Sequence, residues 1–208
     1  MNELYVKGSE SRLWALIEER TRDDADVTAI DGRIWDLFGE EWAVMFTDLA
    51  GFSRQVAKFG IIHFLQVIFE QKRLLLPIVA QNDGVLIKVE ADSFLIVFRR
   101  AAKALACAVE MQRACQNLNL RRLPEEKVLL CVGIGFGRIL RIGDVDVFGA
   151  EVNAASKLGE DTARENQILL PSAAREAAGE LDGVTFEPME ISVPGSERNF
   201  EAIYPRAG

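Results

Sequence analysis

The sequence is poor in the residues that build disulfide frames and zinc sites, with three cysteines and one histidine among 208 residues. Cys107, Cys115 and Cys131 form no CxxC pair and are odd in number, which excludes a disulfide scaffold and fits reduced thiols in a core. His63 has no second histidine with which to ligate zinc. Positive charge is also scarce: 24 Lys plus Arg face 32 Asp plus Glu, a net charge of -8, so no general basic surface exists to grip a nucleic-acid backbone. The most apolar stretches, 74–80 and 95–98, fall well short of the roughly 20 residues that cross a bilayer. Acidic and polar side chains among the first ten residues stand in place of a secretory h-region. No repeat period or low-complexity tract appears. What remains, 49% hydrophobic and 27% charged residues, is the composition expected of a globular cytoplasmic protein.

Hydrophobic periodicity divides the chain near residue 40. Leu13, Trp14, Leu16 and Ile17 share one helical stripe within 11–20, and the polar run 21–26 interrupts it. This predicts a docking helix plus linker over 1–40, ahead of a larger unit over 41–208. Trp35 and Phe38 read as a lid or dimer contact. Beyond them, 42–47 is a strand candidate ending at Asp48, and 51–81 carries helix-spaced apolar residues with Pro77 as a stop or kink. Asn82, Asp83 and Gly84 signal a turn, followed by a hairpin of 85–89 and 93–98 that flanks Asp92. An Ala-rich helix over 99–120, strands over 128–137 and 138–147, a helix over 149–160 and short strands at 167–170, 185–187 and 199–204 complete the pattern. Helices alternating with strands that include hairpins predict an α/β sandwich with a mixed or largely antiparallel sheet.

Asp48 and Asp92 stand at the ends of apolar strands, where packing alone gives a carboxylate no place. If the two strands are neighbours, the side chains supply hard oxygen ligands for Mg²⁺ or Mn²⁺; taken singly, each equally serves as an acceptor in a turn. Gly133, Gly135 and Gly137 do not form GxGxxG and precede no immediate helix, which argues against a dinucleotide site.

The run FTDLAGFS at 46–53 resembles the opening motif of class III nucleotidyl cyclase catalytic domains. GVLIKVEAD at 84–92 is similar to that family's second metal motif, VGIGFGR at 132–138 to its glycine and arginine strand, and DVFGAEVNAASK at 146–157 to its base and ribose motif. The pieces occur in the family's order and span about residues 41–205. The resemblance implies an α+β, ferredoxin-like core of the polymerase-palm type, working as a head-to-tail homodimer with active sites at the interface.

Carried over to this sequence, the resemblance implies that Asp48 and Asp92 hold two Mg²⁺ or Mn²⁺ ions, with the Leu49 carbonyl as an added ligand. The backbone N–H groups of Gly51, Phe52 and Ser53 would meet the terminal phosphates at a helix start. Lys88 and Asp146 match the positions that read the purine. A lysine donates to adenine N1 and an aspartate accepts from the exocyclic amine, whereas guanine mispairs with both, so the pair favours ATP. Asn153 would orient the ribose, and Lys157 stands where the family has an arginine that stabilises the α-phosphate in the transition state. Arg138 matches a position that contacts triphosphate. Asp48, Asp92 and Arg138 are expected from one chain, and Lys88, Asp146, Asn153 and Lys157 from the other.

The implied activity is that of an adenylate cyclase converting ATP to 3',5'-cyclic AMP and pyrophosphate. The alternatives are a guanylate cyclase and a noncatalytic nucleotide-binding or dimerisation module. Four departures from the family pattern bear on the choice: Ala91 in place of a glycine, Gly135 in place of a histidine, Lys157 in place of the arginine, and Arg198 displaced from a loop position that carries a lysine.

Overall fold

The computed structural model describes residues 8–206, and for 52–55 the backbone only. Helices α1 (Ser9–Arg20) and α2 (Val27–Phe38) precede strand β1 (Gly39–Leu49). They are followed by α3 (Phe52–Phe59), α4 (Ile61–Gln81), β2 (Val85–Glu90), β3 (Ser93–Phe98), α5 (Ala101–Asn119), β4 (Leu130–Ile142), β5 (Asp146–Phe148) and α6 (Ala150–Ser156). A π-helical turn, Lys157–Thr162, extends α6 before β6 (Ile168–Pro171), α7 (Ser172–Ala178), β7 (Thr185–Met189) and β8 (Asn199–Ile203).

The segment beyond the polar turn is a helix rather than a linker. The Asp26 side chain caps it by accepting from Ala29 N at 3.0 Å, and Ile30, Ile34 and Phe38 recur every four residues to bury one face. That face meets Leu13 and Leu16 of α1 and Ile142 of β4, so the helical hairpin is docked on the sheet through its own small core. Gly60, at φ 84°, separates α3 from α4, where the sequence pattern suggested one element. Pro77 lies inside α4, which continues to Gln81 because Val79 is still buried.

The sheet order is β2-β3-β1-β4-β6-β8-β7, with β5 paired on β4. Among these pairs only β4 with β6 is parallel. The part built from β1, α4, β2, β3, α5 and β4 has the connectivity and antiparallel strand order of a ferredoxin-like core. Strand β4 is continuous where two strands were expected to meet near residue 138. It pairs with β1 from Leu49↔Leu130 to Gly39↔Leu140, and this long ladder carries it through Gly137; the chain reverses only at Gly143, φ 57°. No helix among the described residues is long and apolar enough to cross a membrane.

Alternation along β1 separates two faces. Ala43, Met45 and Leu49 join the main core with Phe64 and Leu75 of α4 and Leu105 of α5. Trp42 and Val44 face the other way, into a smaller cluster with Val152 and Ala155 of α6. Opposite Val44 and Phe46 on β4 stand Gly135 and Gly133. A Cβ at Gly133 would lie 2.2 Å from the Ala155 carbonyl oxygen and 2.3 Å from Gly159 N; at Gly135 it would lie 2.3 Å from the Glu151 carbonyl oxygen. The layer formed by α6 and the π turn therefore rests on the strand backbone. A side chain at Gly135 would push α6 off the sheet.

Gly133→Ala is expected to destabilise the fold by about 2–3 kcal/mol or more, because both obstructing atoms are backbone and cannot rotate away. Urea unfolding reads the change directly; a loss below about 0.5 kcal/mol would contradict the close backbone approach.

Candidate active site

Asp48 leaves β1 on the same face as Val44 and Phe46, where the strand runs out. Asp92 is the second residue of the two-residue turn joining β2 to β3. Because β3 pairs with β1, with Thr47 opposite Phe94, the turn is carried to Asp48. Ser93 Oγ donates to Asp48 Oδ1 at 3.4 Å, and Phe94 N donates to Thr47 Oγ1 at 3.2 Å. From the opposite layer the buried Gln71 of α4 donates to the Asp92 carbonyl at 2.8 Å. The two aspartates expected to act together are thus neighbours in one chain.

Their electrostatics are those of like charges forced together. Burial, then the charge of Asp92, pushes Asp48 up to about 7, while the neighbouring Leu49 backbone works against the rise. Burial also raises Asp92, against the lowering effect of its own and Leu49's N–H groups. The charge of Glu160 raises both aspartates further.

Asp92 Oδ2 is buried with no hydrogen-bond partner, a costly state for a carboxylate oxygen. An unpartnered oxygen beside a second carboxylate is a donor set that suits a hard divalent cation, so the residues fit Mg²⁺ or Mn²⁺. Among the described residues no group of three or more His, Cys, Asp or Glu is arranged as a ready-made cage. An ion held here would accordingly complete its shell with water and substrate oxygens, as Mg²⁺ commonly does.

Next to the acid pair lies a pocket of about 150 Å³ lined by Phe46, Lys88, Ser93, Asp146, Val152 and Glu160, among others. Lys88 Nζ donates to Asp146 Oδ2 at 2.5 Å, across 58 residues of sequence, and Asp146 Oδ1 accepts from Val147 N at 2.9 Å. The expected purine readers are therefore together, between apolar walls, with Ser93 shared between this pocket and Asp48.

Other expected site residues lie elsewhere. Asn153 is exposed on α6. Lys157 opens the π turn and pairs with Asp161 at 2.5 Å, both side chains being more than half exposed. Phe52 and Ser53 do open α3, after Gly51 at φ 85°, but their side chains lie outside the described residues. Arg138 is not brought to the acid pair. It stands opposite Glu41, seven residues along β1 from Asp48, roughly 23 Å at the rise of a strand, and its guanidinium stacks on Trp35 of α2, 4.6 Å from the ring centre. The position opposite Asp48 is Cys131, a buried thiol pushed up to about 12 by burial and then by the Asp48 charge. The loop bearing Arg198 rests on α6, where a Cβ on Gly195 would lie 2.7 Å from the Ala150 carbonyl oxygen.

Sequence reasoning missed Ser93 and Glu160. Ser93 directly follows Asp92 and was passed over as a strand residue. Glu160 is delivered by the π turn and held by Ser156 Oγ at 2.5 Å. An i,i+4 Ser/Glu pair was visible, but the widened helical turn that aims it at the aspartates has no simple signature.

A family model described as the adenylate and guanylate cyclase catalytic domain matches residues 39–202. The chain is 25% identical over 160 residues to the serine/threonine-protein kinase pkn2 of Myxococcus xanthus, an alignment that covers 76% of this chain and 19% of that protein. It thus spans about a fifth of that relative's length. Among solved structures, the adenylate/guanylate cyclase/hydrolase from Silicibacter pomeroyi matches with a TM-score of 0.69 at 24% identity, covering 80% of this chain and 98% of the other. The adenylyl cyclase CyaB from P. aeruginosa matches at 0.67 and 18% identity, covering 81% and 96%. At these identities the structural matches speak for the fold.

Two outcomes are expected of the acid-pair end. Between the ordinary aspartate value of 3.8 and about 7, folded Asp48 keeps a proton that the unfolded chain has lost. The stability of the cation-free protein relative to Asp48→Asn should therefore fall as pH rises through that window, read by thermal unfolding; a difference that grows with pH would reverse the sign of the raised pKa. Separately, Ala91 in the β2–β3 turn is exposed and left-handed, φ 52°. Ala91→Gly should relieve roughly 1–2 kcal/mol of strain, less about 0.4–1 for glycine's freedom in the unfolded chain, and so stabilise the protein slightly in urea unfolding.

Proposed function

This chain belongs to the adenylate and guanylate cyclase catalytic domain family, and we propose that within it the protein is an adenylate cyclase converting ATP to 3',5'-cyclic AMP and pyrophosphate. The observation that carries the reading is the Lys88–Asp146 pair facing into a pocket that shares Ser93 with the Asp48–Asp92 acid pair. A base reader and a cation-binding acid pair are the two halves of a nucleoside triphosphate site, and each chain carries both, so that two copies can complete each other's sites.

In this reading Phe46 and Val152 flank the purine, Lys88 donates to adenine N1 and Asp146 accepts from the exocyclic amine. Guanine would set a donor against the lysine and an acceptor against the aspartate, leaving polar groups unpaired in a confined pocket. Asp48 and Asp92 hold Mg²⁺ or Mn²⁺, two ions in all. A bound divalent ion would lower the pKa of the ribose 3'-hydroxyl and offset charge on the departing pyrophosphate. The Gly51 to Ser53 backbone, at the start of α3, offers N–H groups to the phosphates. Asn153 and Lys157 lie exposed on one side of α6 and its extension, which favours their use by a second copy of the chain. We infer a homodimer in which the acids of one protomer work with the base, ribose and α-phosphate contacts of its partner. Residues 41–208 form the catalytic unit, with α1 and α2 docked on it through their own small core. Three unpaired, buried cysteines agree with a cytoplasmic setting.

A second reading, a nucleotide-binding module with little turnover, is favoured by the ion pair that occupies Lys157 and by Cys131 opposite Asp48. One assay separates the two. Purified protein is incubated with ATP or GTP, each with Mg²⁺ and with Mn²⁺, and cyclic product is measured by chromatography. The expected result is cyclic AMP from ATP, with GTP used at least about tenfold less efficiently. Asp48→Asn should cost about 100-fold or more in turnover. Nucleotide binding with no cyclic product in any condition would select the module, and a preference for GTP would select a guanylate cyclase.

A further inference from the structure

Asp146 is the first residue after the tight turn that joins β4 to β5, and β5 is only three residues long. The turn has little of its own to hold it. Gly143 is left-handed at φ 57°, Asp144 and Val145 are exposed, and Val145 N donates to the Ile142 carbonyl at 3.0 Å. Arg141 supplies the rest. Its Nε donates to the Gly143 carbonyl at 3.1 Å and its Nη2 to Asp144 Oδ1 at 2.7 Å, while the guanidinium face lies on Trp42, 4.3 Å from the ring centre.

This anchor is rigid in turn. Trp42 is 6% exposed, and its Nε1 donates to Glu40 Oε2 at 2.9 Å. Arg99 stacks on the ring at 4.5 Å and also pairs with Glu40 at 3.1 Å. Arg141 itself is 18% exposed, so its contacts with the Gly143 carbonyl and the indole are sheltered, while Asp144, at 76%, makes the weaker, solvent-facing contact. Its planar group uses the edge for the turn and the face for the indole at once, which a lysine ammonium cannot do.

We propose that Arg141 is a positioning residue for purine selectivity, fixing the Gly143–Asp144 turn against Trp42 so that Asp146 stays in place to meet Lys88 and the exocyclic amine of the base. The inference rests on the adenine-reading role of Asp146 proposed above. Arg141 touches no substrate in this account; it acts through the backbone it holds.

The test compares kcat/KM for ATP with that for GTP in the wild type, Arg141→Lys, Arg141→Met and Asp146→Asn, with calorimetric affinities for both nucleotides. Circular dichroism confirms folding, and Arg141→Lys keeps the charge should Arg141→Met fail to fold. Both Arg141 variants should lower the preference for ATP by about tenfold, with the loss falling on KM for ATP. In an Asp146→Asn background Arg141→Met should remove no further preference. A merely structural arginine would depress both nucleotides alike. An unchanged ratio in an ATP-preferring protein, or a full further loss in the Asp146→Asn background, overturns the role of Arg141 alone. A wild type that shows no preference for ATP, or binds neither nucleotide, overturns the adenine reading and this inference with it.

Discussion

Close approach of one backbone to another, along alternate glycines of β4, decides where everything on the second face of the sheet can sit. With Cβ atoms at Gly133 and Gly135, the carbonyls of Ala155 and Glu151 and the amide of Gly159 would be displaced outward. The layer of α6 would then stand off the strand by the width of a side chain. Val152 would leave the small cluster it forms with Trp42, Val44 and Leu95, and Glu160 would leave the neighbourhood of Asp48 and Asp92. Glycine here does not supply an unusual backbone angle at positions 133 and 135; it supplies empty space. The pocket between Lys88 and Val152 is the consequence of how low α6 rides.

Against that fixed scaffold the acid pair is the electrostatically expensive part. Two neighbouring aspartates are each raised by burial, Asp48 further by the charge of Asp92, while Asp92 Oδ2 keeps no partner. Glu160 adds a third negative charge without completing a cage. Such a cluster is relieved by a cation, whether a proton or, in the proposed reading, a divalent metal ion. With Asp48 at about 7, a proton is held only weakly near neutral pH, so a divalent ion would displace it at small cost.

The legible part of this structure was the local part. Hydrophobic alternation and the Ala-rich run placed β2, β3 and α5 within a residue or two, and motif order located Asp48, Asp92, Lys88 and Asp146, which the fold brings to one end of the sheet. Legibility failed where pairing over distance overrode local signals. Gly137 next to Arg138 read as a strand end, yet the ladder with β1 carries β4 through it. That same register moves Arg138 to the far end of β1 and sets Cys131 opposite Asp48, facts that no spacing within 132–138 could reveal. Helix α2 was hidden because its apolar stripe, Ile30, Ile34 and Phe38, was taken in fragments. Glu160 depends on a π turn, whose extra residue per turn shifts side-chain direction without changing composition.

Five cations near the sheet are engaged by neighbours within the chain, and that bears on how the site works. Lys88 is paired with Asp146, Lys157 with Asp161, Arg138 lies on Trp35, and Arg99 and Arg141 enclose Trp42. A triphosphate approaching the acid pair of a single chain would find these five cations engaged. Their use in binding would require that some of the pairs open or that a second chain present its own exposed groups. The two cases differ in cost. The Lys157–Asp161 pair is solvent-exposed and weak, so it yields readily. The Lys88–Asp146 contact is more sheltered, and in the proposed reading a purine would insert only by satisfying both partners at once, which would make this pair the selective element of the pocket.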